Sequence, residues 1–367
     1  MYLILCYINN TIRRSVLKII HTADIHLGSK IGGFPKEISE ERREEVRNSF
    51  KRMVVFAEQN DVSAIIISGD LFDSDRPFRK DKDFFYSVVK SHPSITFFYL
   101  RGNHDEAGEE LNFDNLKLFG SEWNSYTLNG VTITGVELSS ENSTSYYSTL
   151  NLDKSNLNIV MLHGAVADGE GAGIINLSRL KDKNIDYLAL GHYHTFTENK
   201  IDGRGIAVYS GCLEGRGFDE TGDKGFVLLT VESDKISHEF IPFSERKIVW
   251  DKVSVTGLSD AYSIYSRAKE IRKFSLSDIY RVELIGELDA GLDGVSADVK
   301  KYLSDDVKFI DVKDSTKKKI DVKKYENDTS IIGEFVREVY KSIDYSEEDK
   351  ARIIAYGLKA LSNVEVE

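Results

Sequence analysis

Residues 62–68 read VSAIIIS, an apolar run without polar alternation. A strand with one wet face alternates, so such a run fits a strand covered on both faces, the habit of parallel sheets. Two comparable runs flank it, VLKIIHTA at residues 16–23 and ITFFYL at 95–100. Between the first two, residues 39–60 place Val46, Phe50, Met53, Val54 and Ala57 at helical spacing, with Ser39 as the expected N-cap. A second helix is expected near residues 80–90. The order β-α-β-α-β predicts a layered α/β domain.

The pattern then changes. Strands are expected at residues 126–128, 131–138, 157–162, 187–190, 205–209, 225–231 and 235–240, with one short helix near 177–183. This predicts a second sheet, hence an α/β two-sheet sandwich with helices outside. Near residue 245 the β-α-β order restarts: strand 249–255, helix 259–274, strand 279–284, helix 295–303 and strand 307–312. Two amphipathic helices follow, near 330–342 and 346–361. The expected organisation is an irregular extension over 1–15, a main domain over 16–245, a small α/β domain over 246–325 and terminal helices over 326–367.

Five segments at the ends of expected strands carry metal-ligand side chains. They are Asp24-Ile25-His26, Gly69-Asp70-Leu71-Phe72-Asp73, Gly102-Asn103-His104-Asp105, His163-Gly164 and Gly191-His192-Tyr193-His194. Loops at strand ends converge on one edge of an open sheet. Residues two apart in an extended segment point the same way, so Asp24 and His26 are expected to reach one ion, and His192 and His194 one pocket. A lone HxH means little, but five of the eight histidines fall in these segments. His21, His92 and His238 are read as core, surface and surface.

Imidazole, carboxylate and one amide oxygen, without thiolate, suit Mn, Fe or Zn better than Ca. The candidates are too many for one ion with an open position. They suit two ions about 3.5–4 Å apart, bridged by a carboxylate from the middle of the set, which nominates Asp70.

These strings resemble the calcineurin-like metallophosphoesterase superfamily, whose order is D-x-H, G-D-x-x-D, G-N-H-D, H-G, G-H-x-H. HTADIHLGSK, SGDLFDSDRP, LRGNHDE and LALGHYHT are similar to the SbcD family of DNA-repair exonucleases. YSGCLEGRGFDETGDKGF resembles its YhaO-like branch. The resemblance covers residues 17–245. It implies that Asp24, His26, Asp70 and His194 hold one Mn ion, and Asp70, Asn103, His163 and His192 a second. It implies that His104 contacts the phosphate and protonates the leaving oxygen, with Asp73 orienting it. It further implies 3′→5′ exonuclease and single-strand endonuclease activity on DNA, a capping role for the small domain, an SbcC-like coiled-coil ATPase partner and a homodimer.

The chain carries a net charge of −12. Bulk charge repels a polyanion, so DNA must be held locally. Arg76, Arg79 and Lys80, and Lys317, Lys318 and Lys319 within a Lys-rich stretch, are the candidates, each with a plain solvated surface as the other reading. The terminal helices either pack on their own domain or dock on a partner. No G-x-x-x-x-G-K-[ST] string occurs, so no ATP chemistry is expected of this chain itself. Two cysteines, Cys6 and Cys212, and no long apolar segment or signal-peptide pattern give the expectation of a cytoplasmic chain without membrane association. Two alternatives stand beside the nuclease: a phosphoesterase on a small molecule or phosphoprotein, and a metal-free scaffold, which degraded ligand positions would mark.

Overall fold

The computed structural model describes residues 16–74, 76–105, 113–289, 292, 294–319 and 322–361. The expected 1–15 extension lies outside them. The chain divides into two compact units between Glu245 and Arg246.

The first unit begins with β1 (Leu17–Thr22), α1 (Lys36–Gln59), β2 (Val62–Ser68), α2 (Arg79–Ser91), β3 (Thr96–Leu100) and β4 (Leu116–Leu118). The hairpin of β5 (Asn124–Leu128) and β6 (Val131–Gly135) follows, then α3 (Tyr146–Thr149) and β7 (Leu157–His163). Next come the short pair β8 (Ala165–Val166) and β9 (Ile174–Ile175), and β10 (Tyr187–Gly191). The unit ends with β11 (Thr197–Lys200), β12 (Ile206–Tyr209), β13 (Gly225–Glu232) and β14 (Lys235–Pro242). Two six-stranded sheets result, ordered β14-β13-β1-β2-β3-β4 and β11-β12-β10-β7-β6-β5. This is the α/β two-sheet sandwich that the strand pattern predicts.

The apolar run of β2 is explained by its two neighbours. Ile65 and Ile67 join Val46, Phe50, Met53 and Phe85 in the core under α1 and α2. Ala64 and Ile66 face the other way, toward Ile159, Met161 and Ala189 of the second sheet. On β10 the outer residues Leu188 and Leu190 pack into a third core with Tyr146 and Leu180. Parallel pairing of β1, β2 and β3, and of β7 and β10, brings the C-terminal ends of these strands to the same side of their sheets.

Helix α1 starts three residues before its expected cap. Pro35 occupies the N-cap position, and Ser39 lies inside the first turns with its hydroxyl donating to the Phe34 carbonyl. The helix expected at 177–183 is a single 3₁₀ turn, Leu177–Leu180, capped by Asn176.

The second unit comprises β15 (Ile248–Ser254), α4 (Ala261–Ile271), β16 (Ile279–Asp289), α5 (Val295–Leu303), β17 (Phe309–Lys319), α6 (Ile331–Lys341) and α7 (Glu347–Leu361). Its three strands are all parallel, with α4 and α5 as crossovers. Asp260 and Ser263 form a capping box at α4. Helices α6 and α7 lie against each other: a Cβ on Gly357 would fall 2.1 Å from the Phe335 ring. Val336 and Ile354 are buried. The terminal helices therefore pack within their own unit.

Candidate metal centre

The first ligand loop leaves β1 and runs beside the loop leaving β2. Asp24 N–H donates to the Gly69 carbonyl, and His26 N–H to the Asp70 carbonyl, each at 3.0 Å. These bonds force backbone that is not extended. Asp24, His26 and Asp70 have φ near +50°, and His192 has φ of 118°. The convergence of Asp24 and His26 thus comes from left-handed turns, correcting the extended-segment reasoning. Left-handed non-glycine backbone persists only where surrounding structure imposes it.

Two glycines leave room for the ligands. Gly69 has φ of +92°, and a Cβ there would sit 2.1 Å from His163 Nδ1. A Cβ on Gly102 would sit 2.1 Å from Asp70 Oδ1. Asp105 fastens the third loop to the second, accepting N–H bonds from Gly102, Leu71 and Phe72. Burial raises its carboxyl to about 6 against the pull of those amides.

Two groups of ligand atoms gather here, Asp24 with His26 and His194, and Asp24 with Asp70 and His163. His26 Nε2 lies 3.3 Å from His194 Nε2, and 3.9 Å from Asp70 Oδ2. His163 Nε2 lies 3.3 Å from the same Asp70 oxygen and 3.1 Å from Asn103 Oδ1. One Asp70 oxygen therefore stands between the two groups, while its other oxygen accepts the His104 N–H. Asp24, assigned to one ion in the sequence reading, reaches both groups. The His192 amide donates to both Asp24 oxygens, and its ring stands edge-on to His163 at 5.6 Å.

The donor set fits divalent cations. His163 Nδ1 faces the Ser68 carbonyl at 2.9 Å, so a neutral ring turns its Nε2 lone pair toward two oxygens that are also acceptors. His26 Nδ1 faces Asp73 at 3.0 Å, and His194 Nδ1 faces Glu220 at 2.7 Å. With the Nδ1 atoms turned to those carboxylates, the two Nε2 atoms face one another across 3.3 Å. Lone pairs converging without a proton between them repel, and a cation removes the repulsion. A carboxylate behind each imidazole is the usual support of a metal-bound histidine.

Without metal, a proton on His163 takes the place of the cation between its ring and Asp70. Burial disfavours the Asp70 carboxylate, but the His163 ring and the His104 amide outweigh it and hold its carboxyl at about 2. Burial likewise opposes charge on His163, and Asp70 with Asp24 overcomes it, raising the ring to about 9. Burial raises the Asp24 carboxyl. Burial lowers His26, and Asp73 only partly compensates. Glu220 is buried, yet His194 and Arg216 hold it well below the usual carboxylate range.

His104 is exposed above this cluster, its ring 5.3 Å from that of His26. Asp73 does not orient it. That carboxylate is engaged by His26 and, at 2.8 Å, by Arg216 Nη1, so the histidine it steadies is His26. Glu220, Arg216 and Asp105 complete the site. The sequence reading gave Glu220 and Asp105 no role, although Glu220 lies inside the GRGFDETGDKGF string. His21 is buried against Tyr187, and His238 pairs with Glu198 near the surface. Arg76, Arg79 and Lys80 are exposed, with Arg79 paired to Asp83. In the second unit Lys317 lies opposite Glu287, and Lys319 opposite Asp289, in the strand register. The side chains of Lys318 and Lys319 lie outside the described residues, as does Cys6. Cys212 is buried and in no disulfide among the described residues. Among the described residues no helix is long and apolar enough to cross a membrane.

Two strand-end loops locked together over clustered acids and histidines describe a dinuclear phosphoesterase site, and the comparisons agree. Residues 17–196 match the family described as calcineurin-like phosphoesterase; they are a domain of that family, which hydrolyses phosphoester bonds with divalent metals. The chain is 29% identical to the metallophosphoesterase YhaO of Bacillus subtilis over 65% of its own length and 63% of YhaO. It is 24% identical to the DNA double-strand break repair protein Mre11 of Sulfolobus acidocaldarius, over 92% of this chain and 94% of that one. Against the SbcD polypeptide of the nuclease SbcCD of Staphylococcus epidermidis the identity is 25%, over 62% and 69%.

Proposed function

We propose that this chain is a two-metal phosphodiesterase acting on DNA, the nuclease subunit of an SbcCD-like complex. The observation that carries it is the convergence of Asp24, His26, Asp70, Asn103, His163 and His194 beneath the exposed His104. In this reading two divalent ions, proposed as Mn, would be held here, with Asp70 contributing to both positions. Asp24, His26 and His194 would complete one position, and Asn103, His163 and His192 the other. When bound, the ions supply Lewis acidity and a water acidic enough to ionise at neutral pH. The chain's own residues do the rest. Asp73 at His26 Nδ1 and Glu220 at His194 Nδ1 set the direction of each ring, so that both Nε2 atoms face a common ion. His104, tied by its amide to Asp70, faces incoming phosphate and delivers a proton to the leaving oxygen.

The relatives named for DNA break repair and for the SbcCD nuclease support DNA as substrate. The second unit, which a minimal phosphoesterase does not need, serves as a capping domain. The activities are 3′→5′ exonuclease on duplex ends and endonuclease on single strands, gated by an SbcC-like coiled-coil ATPase, with a homodimer through the nuclease domain. The test is digestion of 3′- and 5′-labelled duplex and hairpin DNA in Mn, with and without that ATPase, beside bis-p-nitrophenyl phosphate and a phosphopeptide. Release from the 3′ label, enhanced by the ATPase, is the expected result. Turnover of the phosphopeptide or small ester alone returns the site to a non-DNA phosphoesterase.

A further inference from the structure

Behind the histidines of the Asp24 group stands a guanidinium. Arg216 Nη1 donates to Asp73 Oδ1 at 2.8 Å, and Nη2 to Glu220 Oε1 at 2.7 Å. Its Nε and main-chain N–H also bind Glu220, at 3.1 and 2.8 Å. Nη1 reaches Ser29 Oγ at 3.4 Å, and Nη2 lies 3.2 Å from His194 Nδ1. Asp73 Oδ1 in turn faces His26 Nδ1, and Glu220 Oε1 faces His194 Nδ1. The contacts close a ring: guanidinium, two carboxylates, two imidazoles, and the two Nε2 atoms 3.3 Å apart.

We propose that Arg216 is a positioning residue for one metal position: it clamps Asp73 and Glu220 together and through them aims His26 and His194 at a common ion. The proposal rests on the two-metal reading but not on the identity of the substrate. Only a planar fork of fixed donors holds two carboxylates in set directions, and a lysine ammonium does so only as a point charge. Without the guanidinium, Asp73 and Glu220 repel each other beside two already buried acids, Asp24 and Asp70. Either carboxylate then turns outward and its imidazole loses its fixed tautomer and angle. The clamp joins sequence positions far apart, residue 26 through residue 73 to residue 216 and back to residue 194, so it locks the loops after β1, β2, β10 and β12 in one step.

The test uses the full chain stripped of metal and titrated with Mn(II), followed by calorimetry and low-temperature electron paramagnetic resonance. The wild type takes up two ions and gives the spectrum of a spin-coupled pair. Arg216→Met keeps one site at wild-type affinity and weakens the other about 10–100-fold, the usual effect of losing a partner behind a metal-bound histidine. Its spectrum at one equivalent is that of an isolated ion. Arg216→Lys falls between, and it carries the test if Arg216→Met does not fold. The metal-free melting temperature falls in the variant used, because Asp73 and Glu220 lose their counter-ion, so the clamp is read from the difference between the two sites. Two ions bound at wild-type affinity in Arg216→Met overturn the clamp. So does equal weakening of both sites, which marks a general structural role. If the wild type itself binds one ion, the two-metal reading fails, and the clamp is judged by whether that ion weakens in Arg216→Met.

Discussion

His21 provides a measurable link between pH and stability. It lies on β1 between the sheets, its ring edge-on to Tyr187 of β10 and its Nδ1 2.9 Å from the phenol oxygen. Burial pushes its pKa from 6.5 down to about 3, a backbone contact at Leu190 opposing and His238 adding a little. In the unfolded chain the ring titrates near its ordinary value. Below that pH the unfolded state holds a proton that the folded state refuses. The stability linked to His21 is therefore complete above about pH 6.5 and is lost at about 1.4 kcal/mol per pH unit, down to about pH 3. Between pH 7 and pH 5 the loss comes to about 2 kcal/mol. His21→Gln cannot titrate, so the stability gap between wild type and variant should shrink by that amount over the same interval. The chain has two tryptophans, Trp123 in the first unit and Trp250 in the second. Urea unfolding in a Trp250→Phe background, with a chelator present, lets Trp123 fluorescence report the first unit while the metal-site histidines cancel. A gap that stays constant from pH 7 to pH 5 would mean the folded ring titrates freely, refuting the burial argument.

Other perturbations reach the site and its supports. His104→Ala should cut phosphodiesterase turnover about 10²–10⁴-fold with both ions retained, whereas Asp70→Ala should lose metal as well; elemental analysis beside a kinetic assay separates the two. Gly69→Ala drives a methyl into His163 from a left-handed backbone and should lower stability by about 1–3 kcal/mol, read by thermal melting of the metal-free protein. Arg42 is buried with Glu45 and Glu214; Arg42→Met strands those acids and should cost about 3–5 kcal/mol in urea unfolding at pH 7. A chain ending at Glu245 should hydrolyse bis-p-nitrophenyl phosphate yet lose most activity on duplex DNA; equal DNA activity would remove the capping role.

The sandwich was legible because burial on both faces forces β2 to be apolar throughout, whatever the rest of the chain does. The ligands were legible because acids and histidines at successive strand ends have few other uses. Other features leave no local trace. β11 reads TENK and contains no apolar residue, so an edge strand there is invisible. Ser39 looks like a cap, but Pro35 takes that position and the helix starts earlier. The left-handed turns at Asp24 and His26 are imposed by hydrogen bonds to the β2 loop, which the local sequence does not encode. The partner of Asp73 was misread for the same reason. Its proximity in the chain to one histidine motif says nothing of Arg216, which the fold delivers from 143 residues away.

The left-handed backbone at Asp24, His26, Asp70 and His192 bears on how such a chain diverges. Each position sits where glycine would be relaxed and an L side chain is strained by on the order of 1 kcal/mol. Relieving that strain with glycine would erase a ligand, and at Asp24 and Asp70 it would also strip the acceptor from the His192 and His104 amides. Backbone strain and candidate ligation thus fall on the same four residues.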